Sequence, residues 1–177
     1  MIEPPAARVP PALPTPRDQV VAYIGLGANL GDTQATIRAA PDALSRLAHT
    51  EVLAVSPLYR SAPIDSTGPD YTNAVAAVRT CLGPIELLTA LQDIEQDHGR
   101  ERPYHNAPRT LDLDLLMYGE QVITTPLLCI PHPRMHARAF VLRPLADLAP
   151  NLTIPGRGRL QPLLAVLDDQ DVQRIDP

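Results

Sequence analysis

The chain has 177 residues and a formal net charge of −5, and all 15 of its basic residues are arginines because the sequence contains no lysine. The absence of lysine excludes Schiff-base catalysis, a Walker-type phosphate loop and the strand lysine of protein kinases. The negative net charge argues against a nucleic-acid partner. No apolar run is long enough to span a bilayer and no signal peptide is recognisable, so we predict a cytoplasmic protein that does not bind membranes.

The length predicts one globular domain with a core of ordinary size. Residues 1–19 contain six prolines and few large apolar side chains, which predicts a disordered tail. The single domain is therefore expected over residues 20–177. Aromatic residues make up only 3% of the chain, with one phenylalanine, so its core should be aliphatic.

The first predicted element is a buried strand over residues 20–26, followed by a glycine-rich turn over 27–31. Asp32 or Thr33 can cap the helix that comes next. Pro41 lies inside that helical pattern, where a proline removes one hydrogen bond and costs about 3 kcal/mol. We therefore expect a break or bend at Pro41.

Two further strands are predicted over residues 51–59 and 71–80, separated by a loop over 60–70. The clearest helix begins at Gly83-Pro84 and ends at Gly99. Its apolar positions are Ile85, Leu88, Leu91 and Ile94.

A polar loop over 100–109 leads into a strand that continues to Tyr118, with a turn at Gly119-Glu120 and a short return strand at 122–123. Helices are expected over 140–148 and 160–167. The order strand, helix, strand, strand, helix, strand is typical of an α+β ferredoxin-like fold. We predict an antiparallel sheet with helices packed on it, a three-layer α/β/α sandwich.

Residues 111–115 read Leu-Asp-Leu-Asp-Leu, an alternation that places Asp112 and Asp114 on one face of a strand. Two carboxylates offer hard oxygen ligands to a divalent ion, and Arg109 just before them offers donors to an anion. Magnesium with a phosphate group is the natural occupant. Taken alone, the same pattern also fits a solvated acidic strand face.

The run Ala-Pro-Arg-Thr-Leu-Asp-Leu-Asp-Leu-Leu at 107–116 closely resembles the signature of the 6-hydroxymethyl-7,8-dihydropterin pyrophosphokinase family. Supporting stretches lie at 23–31, 59–61, 69–74, 94–95, 99–100, 131–135 and 138–142. Departures from the family pattern are Ala28, where serine is usual, and Asn106-Ala107, where many relatives carry Trp-Gly. The resemblance implies transfer of pyrophosphate from ATP to a pterin hydroxymethyl group in folate biosynthesis, with AMP leaving.

The resemblance also implies the roles of individual residues. Two Mg²⁺ ions would be held by Asp112 and Asp114, which would be catalytic together with the phosphate-clamping Arg100 and Arg109. The residues implied for pterin binding are Ser61, Ile64, Tyr71, Asn73 and Phe140. Those implied for binding the co-substrate ATP are Glu95, Arg100, Arg109, His132 and Arg138. The protein is expected to act as a monomer.

Two other functions compete with this interpretation. Residues 25–31 nearly match the G-x-G-x-x-G fingerprint of dinucleotide-binding proteins, but the glycine spacing is one residue too long and Glu51 stands at the start of the second strand instead of its end. The other competitor is a non-catalytic nucleotide- or pterin-binding module. Magnesium-dependent binding without release of AMP would identify such a module.

Overall fold

The structure is a computed structural model that describes residues 18–64, 67–99 and 110–175. The predicted tail lies almost wholly outside these ranges, so the tail and the domain boundary at residue 20 stay predictions. The elements in chain order are β1 (Val20–Ala28), α1 (Thr33–Ser45), β2 (Thr50–Val55), β3 (Tyr59–Ser61), β4 (Tyr71–Thr80), α2 (Pro84–Asp97), β5 (Asp112–Tyr118), β6 (Ile123–Thr124), β7 (Cys129–Ile130), α3 (Ala139–Leu148), β8 (Thr153–Ile154), β9 (Gly158–Arg159), α4 (Leu160–Ala165) and β10 (Val172–Arg174).

An antiparallel sheet forms the middle of the molecule, with strand order β10-β3-β4-β1-β5 and β2 also paired to β4. Strands β2 and β3 both pair with β4, β3 at its first residues and β2 at its last. The order β2-β4-β1-β5 within this sheet is that of a ferredoxin-like βαββαβ unit. The predicted α+β class is confirmed.

Helices cover both faces of the sheet. Helices α1 and α2 pack on one face around Ile24, Ile37 and Leu91, each fully buried. Helix α3 and the short α4 pack on the other around Leu116, Leu142 and Leu160. The result is the predicted three-layer sandwich, with an aliphatic core on each side of the sheet.

Strand β1 is longer than predicted and buries only alternate residues. Its even-numbered residues from Ala22 to Ala28 point into the core with α1 and α2, whereas Tyr23, Gly25 and Gly27 are partly exposed on the α3 side. The strand therefore takes in the first two residues of the predicted turn. This alternation leaves two glycines in the middle of the sheet on the face that α3 only partly covers.

Helix α1 confirms the predicted cap and contradicts the predicted break. Asp32 accepts a hydrogen bond from the backbone N–H of Ala35 through Oδ1 at 3.0 Å. The helix runs through Pro41 without interruption. Burial of Ile37 and Leu44 on either side of the proline stabilises the helix, and this tertiary packing offsets the lost hydrogen bond.

Helix α2 begins at Pro84 as predicted, with the Gly83 N–H donating to Glu86 Oε2 at 2.7 Å. Its buried face differs from the prediction at one end. Ile85 is 43% exposed, and Leu87 is buried in its place. Leu87, Leu91 and Ile94 are the buried apolar residues of the face toward the sheet, and Leu88 is partly buried against the same core.

Two predicted strands are also corrected. The strand expected over 51–59 is divided into β2 and β3 around Pro57, which has no N–H to donate to a sheet. The expected return strand lies at Ile123–Thr124 and pairs with β7 instead of β5. Helix α4 ends two residues before the predicted end. Among the helices in the described ranges, none has both the length and the apolar character needed to cross a bilayer.

Candidate active site

The two aspartates of β5 lie on the face of the sheet opposite α1 and α2. Leu113 and Leu115 are buried in the core with those helices, so Asp112 and Asp114 face the other way. In the register of β1 with β5, Asp112 lies opposite Gly27 and Asp114 opposite Gly25. Because Gly27 has no side chain, the space beside Asp112 is left open, whereas the Leu116 side chain lies 3.5 Å from the position of a Cβ at Gly25.

Gly27 occupies a central position in this open space. A Cβ atom at Gly27 would lie 3.8 Å from Asn73 Oδ1, 3.9 Å from Asp112 Cβ and 4.0 Å from Tyr71 Cδ1. A larger side chain would therefore stand between the aspartates and the polar residues of β4. The glycine joins these two groups into one cavity.

The second part of the cavity is built by the pairing of β3 with β4. Ser61 lies opposite Tyr71, and Tyr59 lies opposite Asn73. Asn73 is 4% exposed and donates from Nδ2 to Ser61 Oγ at 2.9 Å. The serine hydroxyl thus holds the orientation of the asparagine amide, a role that the sequence did not reveal. Ile64 lies at the rim and is 49% exposed.

The start of α3 contributes a cation and an aromatic ring. The guanidinium carbon of Arg138 lies 5.5 Å from the centroid of the Phe140 ring, a distance at which the positive charge is attracted to the ring face. Both side chains line the cavity. This end of α3 therefore brings together a group suited to phosphate and a group suited to a flat ring.

Glu95 connects α2 to the aspartate strand. It is 2% exposed, and its Oε1 accepts a hydrogen bond from the backbone N–H of Leu113 at 2.7 Å. Leu113 is the residue between the two aspartates. Glu95 therefore fixes the position of β5 at the point where both carboxylates emerge, in addition to lining the cavity.

His132 is held as a neutral ring. Burial, followed by the charges of Arg138 and Arg134, lowers the pKa of His132 from 6.5 to about 4, with Asp112 acting in the opposite direction. Its Nδ1 accepts a hydrogen bond from the backbone N–H of Arg134 at 3.2 Å. The ring proton of neutral His132 is consequently on Nε2, which makes this nitrogen a hydrogen-bond donor.

One cavity of about 300 Å³ contains all of these features. Ten of the residues that the resemblance implied line it: Ser61, Ile64, Tyr71, Asn73, Glu95, Asp112, Asp114, His132, Arg138 and Phe140. Arg100 and Arg109, like the whole loop 100–109, lie outside the described residues. The sequence reasoning missed Gly25 and Gly27 as parts of the site, although their alternation opposite the aspartates was a signal that could have indicated them.

The donor set of the site fits magnesium. Within the part of the chain that the structure describes, no group of three or more His, Cys, Asp or Glu side chains is arranged as a metal site. Magnesium does not require such a group, because it commonly binds through one or two carboxylates together with water and substrate phosphates. Asp112 and Asp114, beside two glycines, match that mode of binding.

The fold and the site together define a class of protein. It is a ferredoxin-like α+β domain with one cavity, which has the paired carboxylates of Asp112 and Asp114 at one end and the Tyr71 ring and the Asn73 amide at the other. The model of the family 7,8-dihydro-6-hydroxymethylpterin-pyrophosphokinase matches residues 23–150. The chain belongs to this family. The predicted family and the predicted pyrophosphokinase function are confirmed.

Relatives of similar length carry the corresponding name. A 2-amino-4-hydroxy-6-hydroxymethyldihydropteridine pyrophosphokinase of Pseudomonas aeruginosa is 49% identical over 154 residues, which is 86% of this chain and 95% of the relative. The protein of the same name from Haemophilus influenzae is 40% identical, covering 89% of this chain and 99% of the relative.

Solved structures support the fold. A crystal structure of Plasmodium falciparum HPPK-DHPS with three substitutions and bound pteroate matches 91% of this chain with a TM-score of 0.70 and 12% identity. The chain spans 47% of that longer protein. At this level of identity the match concerns the fold alone.

Proposed function

We propose that this chain transfers the β,γ-pyrophosphoryl group of ATP to the hydroxymethyl oxygen of 6-hydroxymethyl-7,8-dihydropterin, in a magnesium-dependent step of folate biosynthesis. The observation that carries the proposal is the continuity of the cavity across Gly27, with Asp112 on one side and Tyr71 and Asn73 on the other. A transfer between two substrates requires both to be bound in contact with one another. The names of the relatives support the choice of substrates.

The β3–β4 side of the cavity is the proposed pterin site. Tyr71 and Phe140 would stack on the two faces of the flat heterocycle, which is a favourable geometry for aromatic rings. The Asn73 amide, oriented by Ser61, would bind polar atoms on the edge of the ring. Ile64 at the rim would cover the exposed side of the bound pterin.

The β5 side is the proposed site for ATP. Asp112 and Asp114 would hold two Mg²⁺ ions, which would supply neutralisation of the triphosphate charge. Arg138 would bind phosphate oxygens, for which its planar guanidinium is suited. His132 would donate from Nε2, and Glu95 would keep β5 in place. Arg100 and Arg109 belong to the same proposal as phosphate-clamping residues on the loop 100–109.

The reaction itself forms one bond and breaks another. The hydroxymethyl oxygen attacks the β-phosphorus, the bond from that phosphorus to the oxygen bridging it to the α-phosphorus breaks, and AMP leaves with the bridging oxygen. The hydroxyl proton is released to solvent. The residues on both sides of Gly27 contribute by orienting the two substrates and excluding water, the main protein contributions to phosphoryl transfer.

Substitution of the aspartates tests the proposal. Asp112→Asn and Asp114→Asn remove the negative charge but keep the size of the side chain, so we expect kcat to fall by more than about a hundredfold while pterin binding changes little. Asp93→Asn, on the exposed face of α2, is the matched control and should keep wild-type activity. Near-wild-type turnover in either site variant would refute the metal assignment. Magnesium-dependent binding of ATP without AMP release in the wild-type protein would instead indicate a non-catalytic module.

The proposal extends to a cytoplasmic monomer that binds neither nucleic acid nor membranes. The net charge of −5 supports the absence of a nucleic-acid partner. Both proposed substrate sites are lined by one chain, so a second copy is not needed to complete either of them. Light scattering at micromolar concentration should give a mass near 19.2 kDa; a mass near twice this value would refute the monomer.

A further inference from the structure

We infer that Gln170 is a positioning residue for the substrate site: its side-chain amide holds the corner of the chain that carries Arg138 and Phe140. This inference rests on the proposed function for the identity of the substrates. Gln170 itself lies outside the cavity and belongs to the connection between α4 and β10. The resemblance did not point to it.

The geometry is that of an amide paired with two peptide groups. Gln170 Oε1 accepts a hydrogen bond from the backbone N–H of Ala139 at 2.8 Å. Gln170 Nε2 donates to the backbone carbonyl of Ala137 at 2.9 Å. The two bonded residues are the immediate neighbours of Arg138, so a single side chain holds the backbone on both sides of this arginine.

The corner lacks a side-chain cap of its own at the point where two helical segments meet. A 3₁₀ turn over Met135–Ala137 ends at Arg138, and α3 begins directly after it. Arg138 has extended backbone angles, φ −125° and ψ 106°, and its side chain makes no capping hydrogen bond to α3. The first N–H groups of a helix have no partner within the helix. Gln170 satisfies the first of them, that of Ala139.

Gln170 also connects this corner to the opposite wall of the proposed pterin site. Its own backbone N–H donates to the carbonyl of Leu167 at 3.1 Å, which closes a turn after α4. Two residues later, Val172 of β10 pairs with Ser61 of β3. The same short segment therefore contacts the strand that carries Ser61 and the corner that carries Phe140, which fixes the separation of the two walls.

The expected consequence of removing the amide is a loss of order at the corner. Gln170→Ala deletes two hydrogen bonds and allows Arg138 and Phe140 to sample other orientations. We expect the Kd of the pterin to rise about tenfold, which corresponds to about 1.4 kcal/mol. Gln170→Glu keeps an acceptor for the Ala139 N–H but loses the donor to Ala137, so its effect should be intermediate.

The composition of the chain provides a direct reporter. Phe140 is the single phenylalanine in the sequence, so labelling with 4-fluorophenylalanine gives one ¹⁹F resonance without any need for assignment. We expect this resonance in the substrate-free protein to shift or broaden in Gln170→Ala. Gln161→Ala is the matched control, because Gln161 also makes a side-chain hydrogen bond to a backbone carbonyl, that of Pro150 at 3.2 Å, on an exposed part of α4.

The combined measurements separate this inference from the proposed function. A ¹⁹F change and a weaker pterin affinity in Gln170→Ala, absent in Gln161→Ala, support the positioning role. A ¹⁹F resonance and a pterin affinity that match those of the control would overturn it, whatever the melting temperature. If the wild-type protein binds no pterin while the resonance still responds to Gln170→Ala, the proposed substrate is wrong and the positioning of the corner stands.

Discussion

The hydrogen bond from the Leu113 N–H to Glu95 provides the most informative single perturbation of the site. Glu95→Ala removes the acceptor of a buried backbone N–H, and Glu95→Gln keeps an acceptor oxygen in the same place but removes the charge. A hydrogen bond to a charged group is worth about 1.5–3 kcal/mol, and the lost methylene adds about 0.8 kcal/mol. We therefore expect Glu95→Ala to lower the free energy of unfolding by about 2–4 kcal/mol and Glu95→Gln by about 1 kcal/mol.

The same pair of variants tests whether Glu95 positions the aspartates. Because Leu113 lies between Asp112 and Asp114, release of its N–H should loosen both carboxylates. The Mg²⁺ concentration for half-maximal rate should rise several-fold in Glu95→Ala and less in Glu95→Gln. Urea unfolding gives the free energy of unfolding of each variant. Initial rates measured across a series of magnesium concentrations give the Mg²⁺ concentration for half-maximal rate. Equal stability of both variants and the wild type, or an unchanged magnesium dependence in Glu95→Ala, would refute this reasoning.

Three further predictions concern other parts of the site and its support. Gly27→Val should place two methyl groups beyond a Cβ that already lies within 4.0 Å of Asn73, Asp112 and Tyr71, so calorimetry should show weaker pterin binding by more than about tenfold; unaltered binding would contradict the proposed continuity of the cavity. His132 has a pKa of about 4 in the folded protein and 6.5 in the unfolded chain. Between these two pH values the unfolded chain binds more protons, so the free energy of unfolding rises with pH, by at most about 3 kcal/mol. Urea unfolding from pH 4 to 7 should show a shallower rise for His132→Gln, and an identical profile would refute this origin. Tyr59→Phe removes the hydroxyl that donates to Asp147 Oδ2 at 2.6 Å, so it should lower the free energy of unfolding by about 1–2 kcal/mol. Urea denaturation measures this loss, and an unchanged free energy of unfolding would mean that the hydrogen bond contributes nothing to stability.

The sequence predicted those elements whose signals are local. Strand β4 has the predicted bounds, Tyr71–Thr80, because a continuous apolar run stands between a loop rich in turn formers and Gly83-Pro84. Asp32 was recognisable as a helix cap. The uninterrupted helix through Pro41 was not predicted, because it depends on the burial of Ile37 and Leu44 on either side of the proline. The interruption at Pro57 was also not predicted, although the missing N–H of that proline was a local signal for it.

The site could be predicted from motifs, but its supporting contacts could not. The ten implied residues that the structure describes line one cavity, as expected of side chains collected by a specific family pattern. The hydrogen bond of Glu95 to Leu113 spans 18 residues and that of Gln170 to Ala139 spans 31. Bonds from a side chain to a distant backbone group follow no period in the sequence. Only the folded arrangement reveals them.

The most direct test of the central claim is a ³¹P NMR spectrum of the reaction of the purified protein with ATP, Mg²⁺ and 6-hydroxymethyl-7,8-dihydropterin. We predict that the three ATP resonances are replaced by the single resonance of AMP and two doublets of the pterin pyrophosphate, in equal amounts, and that a chelator prevents the change. Formation of ADP would place the attack at the γ-phosphorus and contradict the claim. ATP that persists unchanged with pterin and magnesium present would contradict it as well.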